Sequence, residues 1–138
     1  MDPPLDEPES SRWREEADRA LGGARREAKA ENHNWSCFLA EQSAQLAVKA
    51  LLHGLGRAPW GHDLEELTRA VGDAGVELSE DVRAAARQLA RHYIPARYPD
   101  AHPAASPGSR YVAEDSTGAL RAAEVLLEFV DRTWGSLR

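Results

Sequence analysis

The chain is expected to be all-α, an antiparallel up-and-down four-helix bundle with one short additional helix. Three observations across its 138 residues predict this. Apolar side chains recur at three- and four-residue spacing through most of the length, and no segment alternates convincingly with the period of two that a half-buried strand requires. Glycine, proline and helix-capping residues fall between the periodic stretches. A chain of this length buries about two thirds of its unfolded surface in a single core and folds without staples.

Taken in order, residues 1–9 combine three prolines with four acidic side chains and read as a mobile acidic tail, leaving residues 10–138 as the single domain. Helix 1 is expected from Ser10 or Ser11, either of which caps free amides. Trp13, Ala17, Ala20, Ala24 and Ala28 share its apolar face, and Gly22-Gly23 predicts either a closely packed neighbour or a kink. Helix 2, about Trp35 to Leu55, is apolar round much of its circumference and therefore central: Trp35, Leu39, Leu46 and Ala50 form one ridge, and Ala44, Val48, Leu51 and Leu55 another. A loop over residues 56–61 leads to a short helix starting at His62 or Asp63, with Leu64, Leu67 and Val71 inward and Gly75 as its stop. Ser79 caps the fourth helix, whose first turn carries Glu80 and Asp81 at the positive end of the dipole and whose core face is Val82, Ala86, Leu89 and Tyr93. Four prolines and Gly108 keep residues 94–112 irregular beyond a turn or two. The last helix, about 114–134, turns Ala119, Ala123, Leu126, Val130 and Trp134 inward. Trp13, Trp35 and Trp134 fit the core, while Trp60 lies in a loop, covering a bundle end or a partner surface.

Composition excludes several function classes. A formal charge of −6 argues against bulk nucleic-acid binding over the whole surface, although it leaves room for a local basic ridge. The single Cys37 rules out a disulfide within the chain and suits a reducing cytoplasm. His33, His53, His62 and His92 lack metal-ligand spacing, no nucleotide-cradling glycine loop is present, and no cofactor is expected. The first residues lack the basic and apolar sections of a signal peptide, and no apolar run approaches the ~20 residues of a membrane span.

Chemistry concentrates in the stretch from Arg91 to His102. Arg97 and His102 lie five positions apart in a turn stiffened by Pro95 and Pro99. This is the composition of a metal-independent phosphodiester-cleaving site. A guanidinium grips two phosphate oxygens and stabilises charge developing on them, while an imidazole takes a proton from a ribose 2′-hydroxyl or gives one to the leaving oxygen. A twofold dimer would supply a second acid-base group, because like residues meet near its axis. Equally, Arg97 could pair with Asp100 to brace the turn, with His102 an ordinary loop histidine. Arg83, Arg87 and Arg91 form an i, i+4, i+8 stripe toward Arg97 that suits a phosphate track or, equally, a solvated face supported by acids such as Glu80.

Three pieces, in this order, resemble the HEPN family. Residues 40–52, AEQSAQLAVKALL, look like the family's A-x-Q-x-A-x-x-A-x-K-A-L stretch; His62-Asp63-Leu64 resembles the opening of its short third helix; and Tyr93 to Asp100, centred on Arg97-Tyr98-Pro99-Asp100, is similar to its RYP-containing turn. The resemblance covers roughly residues 10–135. It implies a helical bundle, usually a homodimer, in which an R-x4-6-H motif, here Arg97 and His102, cleaves RNA at the dimer interface. It also implies pairing with a small nucleotidyltransferase antitoxin, or, in members without activity, binding of a nucleotide or of a nucleotidyltransferase partner. Tyr98 follows the arginine where active members commonly carry Asn, Asp or His. Ala104 stands two residues beyond the histidine where nucleotidylated members carry tyrosine, which leaves Tyr98 and Tyr111 as candidate acceptors.

Overall fold

The helix between His33 and Gly54 is the axis of the molecule. In the computed structural model, which describes residues 4–138, the elements are α1 (Glu7–Lys29), α2 (His33–Gly54), α3 (Leu64–Asp73), α4 (Glu80–Ala90), a one-turn α5 (Pro107–Arg110) and α6 (Ala113–Leu137), with a 3-10 turn at Pro99–Ala101. No strand occurs among the described residues. α2 packs against all five other helices, as a helix with apolar residues on every side must. Its Ala40, Ala44, Ala47, Val48 and Leu51 are fully buried and meet Ala17 and Ala24 of α1, Leu64 and Val71 of α3, Leu89 of α4 and Leu126 of α6 in one core. Each such leucine contributes roughly 1.5–3 kcal/mol by leaving water.

α1 and α2 approach closely because their contact is made of small residues. Two hydroxyls cross it: Ser36 Oγ donates to the Ala24 carbonyl at 2.8 Å, and Ser43 Oγ donates to the Ala17 carbonyl at 2.7 Å. Gly22 and Gly23 leave α1 unbroken and admit a neighbour, since a Cβ on Gly23 would sit 3.3 Å from Leu39 Cδ1. At the far end, Gly54 lets the Trp134 ring pack on α2, where a Cβ would lie 2.5 Å from a ring carbon.

Three expectations are corrected. α1 starts at Glu7, so residues 7–9 belong to the bundle and not to a tail; residues 1–3 of that tail lie outside the described residues. Asp6 caps the helix through a 3.1 Å bond from the Glu9 amide, Pro8 sits in the first turn where no amide is needed, and the Asp6 amide donates to the Gly54 carbonyl at 2.9 Å. Second, Leu21 joins Ala17 and Ala24 in the core while Ala20 and Ala28 remain partly exposed at its border. Third, Trp35 is 46% exposed and so is not a core residue; Trp13 and Trp134 are half-buried at the core's edge. The helix starts at Leu64 and Glu80 follow the capping logic, with Asp63 and Ser79 each accepting first-turn amides.

Candidate functional site

After Leu89 and Ala90 the chain leaves α4 in a series of tight turns that fold back on the start of α2. Asn34 Nδ2 donates to the Ala96 carbonyl at 3.0 Å, and Ala96 itself is fully buried. This pins the turn carrying Arg97 to the first turn of α2.

Arg97 is held from several sides. Its Nε donates to the Tyr93 carbonyl at 2.8 Å, and its guanidinium carbon lies 4.4 Å from the Tyr93 ring centre, 4.5 Å from Phe38 and 4.8 Å from Tyr98. Such cation–π contacts are each worth about 0.5–2 kcal/mol and orient the plane of the group. Neither terminal nitrogen has a protein acceptor among the described residues. The one buried side-chain polar atom without a partner there is Nε2 of His92, so the Arg97 amino groups reach solvent. No ion pair to Asp100 forms among the described residues, and the bracing role comes from the rings and from Tyr93 instead.

His102, half-buried, donates from Nε2 to the Pro95 carbonyl at 2.6 Å and meets the Tyr111 ring edge-on at 6.3 Å. A carbonyl only accepts, so this bond fixes the proton of the neutral ring on Nε2 and leaves Nδ1 as a lone-pair acceptor. Nδ1 has no partner among the described residues and is not a buried orphan, so it also reaches solvent. Arg97 and His102 are thus fastened to carbonyls two residues apart on one turn, with no hydrogen bond between them.

Beneath the arginine lies a group that sequence reasoning did not single out. Glu41 is fully buried, accepts from Gln42 Nε2 at 2.8 Å and from Gln45 Nε2, and has its carboxyl pushed up to about 7. Burial is the main cause, opposed by the two amides and by the charges of Arg97 and Lys49. Gln45 also donates to the His62 carbonyl at 2.9 Å, and the His62 ring stacks on Tyr93 at 5.4 Å, so one polar chain runs from the core to the Arg97 cradle. The available signal was a carboxylate inside a helix with no polar face, which needs partners to be buried.

His92 is buried behind the turn, with Nδ1 2.9 Å from the Tyr111 hydroxyl, and is held well below the usual imidazole range at about 4, by burial and then by Arg91. The Tyr111 hydroxyl is pushed up to about 12, chiefly by burial, whereas Tyr98 is 48% exposed. Arg83, Arg87 and Arg91 are all exposed. Arg87 bonds Glu80 at 3.0 Å. It also borders two open clefts, one of about 370 Å³ shared with Arg83, Arg69 and Thr68, and one of about 520 Å³ shared with Arg91, His62 and Tyr93. Among the described residues no group of three or more His, Cys, Asp or Glu side chains is placed to hold a metal, and no helix is long and apolar enough to cross a membrane.

A helical bundle whose longest connection carries an arginine and a histidine defines a recognisable class. The family profile of the HEPN domain matches residues 10–133, and the chain belongs to the HEPN family. The fold is close to that of TT1696 from Thermus thermophilus, at TM-score 0.86 and 35% identity over 89% of this chain and 96% of that one. ST0689, an archaeal HEPN homologue, superposes at TM-score 0.77 with 28% identity over 90% of this chain and 96% of its own. The HEPN domain protein tm0613 of Thermotoga maritima shares the fold at TM-score 0.73 and 24% identity, over 90% and 98% of the two chains. No curated protein matches the sequence.

Proposed function

We propose that this HEPN protein is a metal-independent endoribonuclease, acting as a homodimer and as the toxin half of a pair with a small nucleotidyltransferase antitoxin. The observation that carries the reading is the pair of free ends on one turn: the amino groups of Arg97 and the lone pair of His102 Nδ1 both reach solvent, while their other nitrogens are tied to the Tyr93 and Pro95 carbonyls. In this reading Arg97 holds the scissile phosphate. His102 Nδ1 takes the proton of a ribose 2′-hydroxyl; the 2′-oxygen then bonds to phosphorus and the 5′-oxygen leaves with a proton from the second copy's imidazolium. The products are a 2′,3′-cyclic phosphate and a 5′-hydroxyl. Arg83, Arg87 and Arg91 guide the strand along α4 toward the turn.

As an acceptor for nucleotidylation Tyr98 is the better candidate, because the Tyr111 hydroxyl is held at His92 and resists ionisation. The cleft bordered by Arg87, Arg91, His62 and Tyr93 favours a second reading, an inactive module that binds a nucleotide or a nucleotidyltransferase partner.

The test is cleavage of total RNA and transfer RNA by purified protein in EDTA, comparing wild type with Arg97→Ala and His102→Ala after folding and dimerisation are checked. Cyclic phosphate ends from wild type, absent with both well-folded variants, are expected. An inert wild type, or variants that cut equally well, would overturn the reading in favour of the binding module.

A further inference from the structure

The groove between α3 and α4 is a basic patch on a chain of net charge −6, and no residue of the Arg97 turn lines it. Its rims carry Arg69 from α3 and Arg83 and Arg87 from α4, against a single acid, Glu65. All three arginines are exposed, and of the three only Arg87 has a side-chain partner among the described residues, Glu80 at 3.0 Å. That pair is itself open to solvent, so it contributes little and exchanges readily. The floor is apolar. Ala86 and Thr68 are buried, and the Thr68 hydroxyl donates to the Leu64 carbonyl at 2.8 Å. Leu78 lies against α3 at Gly72, where a Cβ would meet its Cδ1 at 2.9 Å.

We propose that this groove docks an acidic amphipathic helix of a protein partner, its apolar side chains on Leu78 and Ala86 and its carboxylates on Arg69, Arg83 and Arg87. Charge complementarity carries the choice of occupant. A guanidinium takes a carboxylate through two parallel hydrogen bonds, and three guanidiniums here face one resident acid. Arg83 and Arg87 stand one turn apart, about 6 Å along α4, which is also the spacing of carboxylates at i and i+4 of a partner helix. The apolar floor receives the other face of such a helix. A nucleic-acid strand fits less well, because no aromatic ring lines the groove for bases to stack on. A second copy placed across a twofold axis would set arginines against arginines. Arg83 and Arg87 also belong to the stripe that guides the RNA strand, whereas Arg69, on α3, lies off that stripe and separates the two roles.

The test uses full-length protein and a short fluorescein-labelled helical peptide of glutamate, alanine and leucine, with its leucines on one face. Two analogues replace its glutamates by glutamine or its leucines by serine. Anisotropy at low and high salt reads binding to wild type, Arg69→Ala, Arg83→Ala and Arg19→Ala, the last an exposed arginine of α1 outside the groove. Sedimentation reports the oligomeric state, and a single-stranded 2′-O-methyl oligonucleotide is titrated in parallel. The expected result is salt-sensitive binding of the peptide, a loss of about fivefold or more for Arg69→Ala and Arg83→Ala, no loss for Arg19→Ala, and weaker binding of both analogues. No binding by wild type, an equal loss in Arg19→Ala, or an analogue that binds as well as the parent peptide would overturn the docking groove. If Arg69→Ala weakens the oligonucleotide and spares the peptide, the groove belongs to nucleic acid; if it changes the oligomeric state, the groove belongs to a second copy. Either result overturns the proposal. Peptide binding as expected by a protein that leaves RNA uncut keeps the docking groove while the ribonuclease reading fails.

Discussion

Replacing Glu41 with glutamine turns the buried carboxyl into a test of the electrostatics under the site. Folding raises this group from 4.5 to about 7 because the charged form loses its water. The folded state therefore keeps the proton between those values while the unfolded chain releases it. The contribution is fully present below pH 4.5 and is lost as the pH rises through about 7. At 1.36 kcal/mol per pH unit across that window, the ionisable side chain costs wild type about 3 kcal/mol by pH 8. The glutamine variant stays neutral and keeps an acceptor for Gln42 or Gln45. Its stability is expected to match wild type within about 1 kcal/mol at pH 4.5 and to exceed it by about 3 kcal/mol at pH 8, measured by urea unfolding at several pH values with unchanged m. His92 works in the opposite sense: depressed to about 4, it contributes stability present above 6.5 and lost as the pH falls through 4. Wild type alone therefore shows a muted profile, and only the difference between the two proteins isolates Glu41. A difference that stays constant with pH would refute the reasoning.

Three more outcomes are expected. Gly54→Ala drives a methyl to 2.5 Å from the Trp134 ring and 3.0 Å from Ser10 Cβ, and should cost about 1–3 kcal/mol in urea unfolding, with a changed tryptophan spectrum. Tyr111→Phe strips the partner from His92 Nδ1 and should destabilise by about 1–3 kcal/mol at pH 8, where His92 is neutral. Cys37 is fully buried with its thiol pushed up to about 12, mainly by burial, so an aromatic disulfide reagent should leave native protein unlabelled and react along the same urea curve as unfolding.

Most helices are legible in the sequence because their signals are local. Ser79, Glu80 and Asp81 announce α4, and Gly75, at φ +97°, closes the turn after α3 in a conformation suited to glycine. The start of α1 is hidden because three prolines and four acids look like a solvated tail, whereas the bond from Asp6 to Gly54 is made across 48 positions and has no local trace. Arg97 and His102 can be named from composition and spacing. Their cradle cannot, since it draws Phe38 from α2 and the Pro95 carbonyl from the turn itself. Trp35 misleads for a related reason: it shares a ridge with Leu39 and Leu46, but in the first turn of α2 it is 46% exposed and meets only the edge of Phe38 among the described aromatic rings. Periodicity reports which way a side chain points and says nothing of whether anything is there to meet it.

The two serine bonds between α1 and α2 act as a vernier. Alanine surfaces fit one another almost equally well at several offsets, so apolar packing alone would let these helices slide. Ser36 and Ser43 are seven residues apart, as are Ala17 and Ala24 whose carbonyls receive them. At the observed offset both hydroxyls find a carbonyl across the contact, and a shift along the helix axis breaks the two bonds together. Because Asn34 ties the turn that carries Arg97 to the start of α2, the offset that satisfies both serines is also the one that sets where the site stands relative to α1.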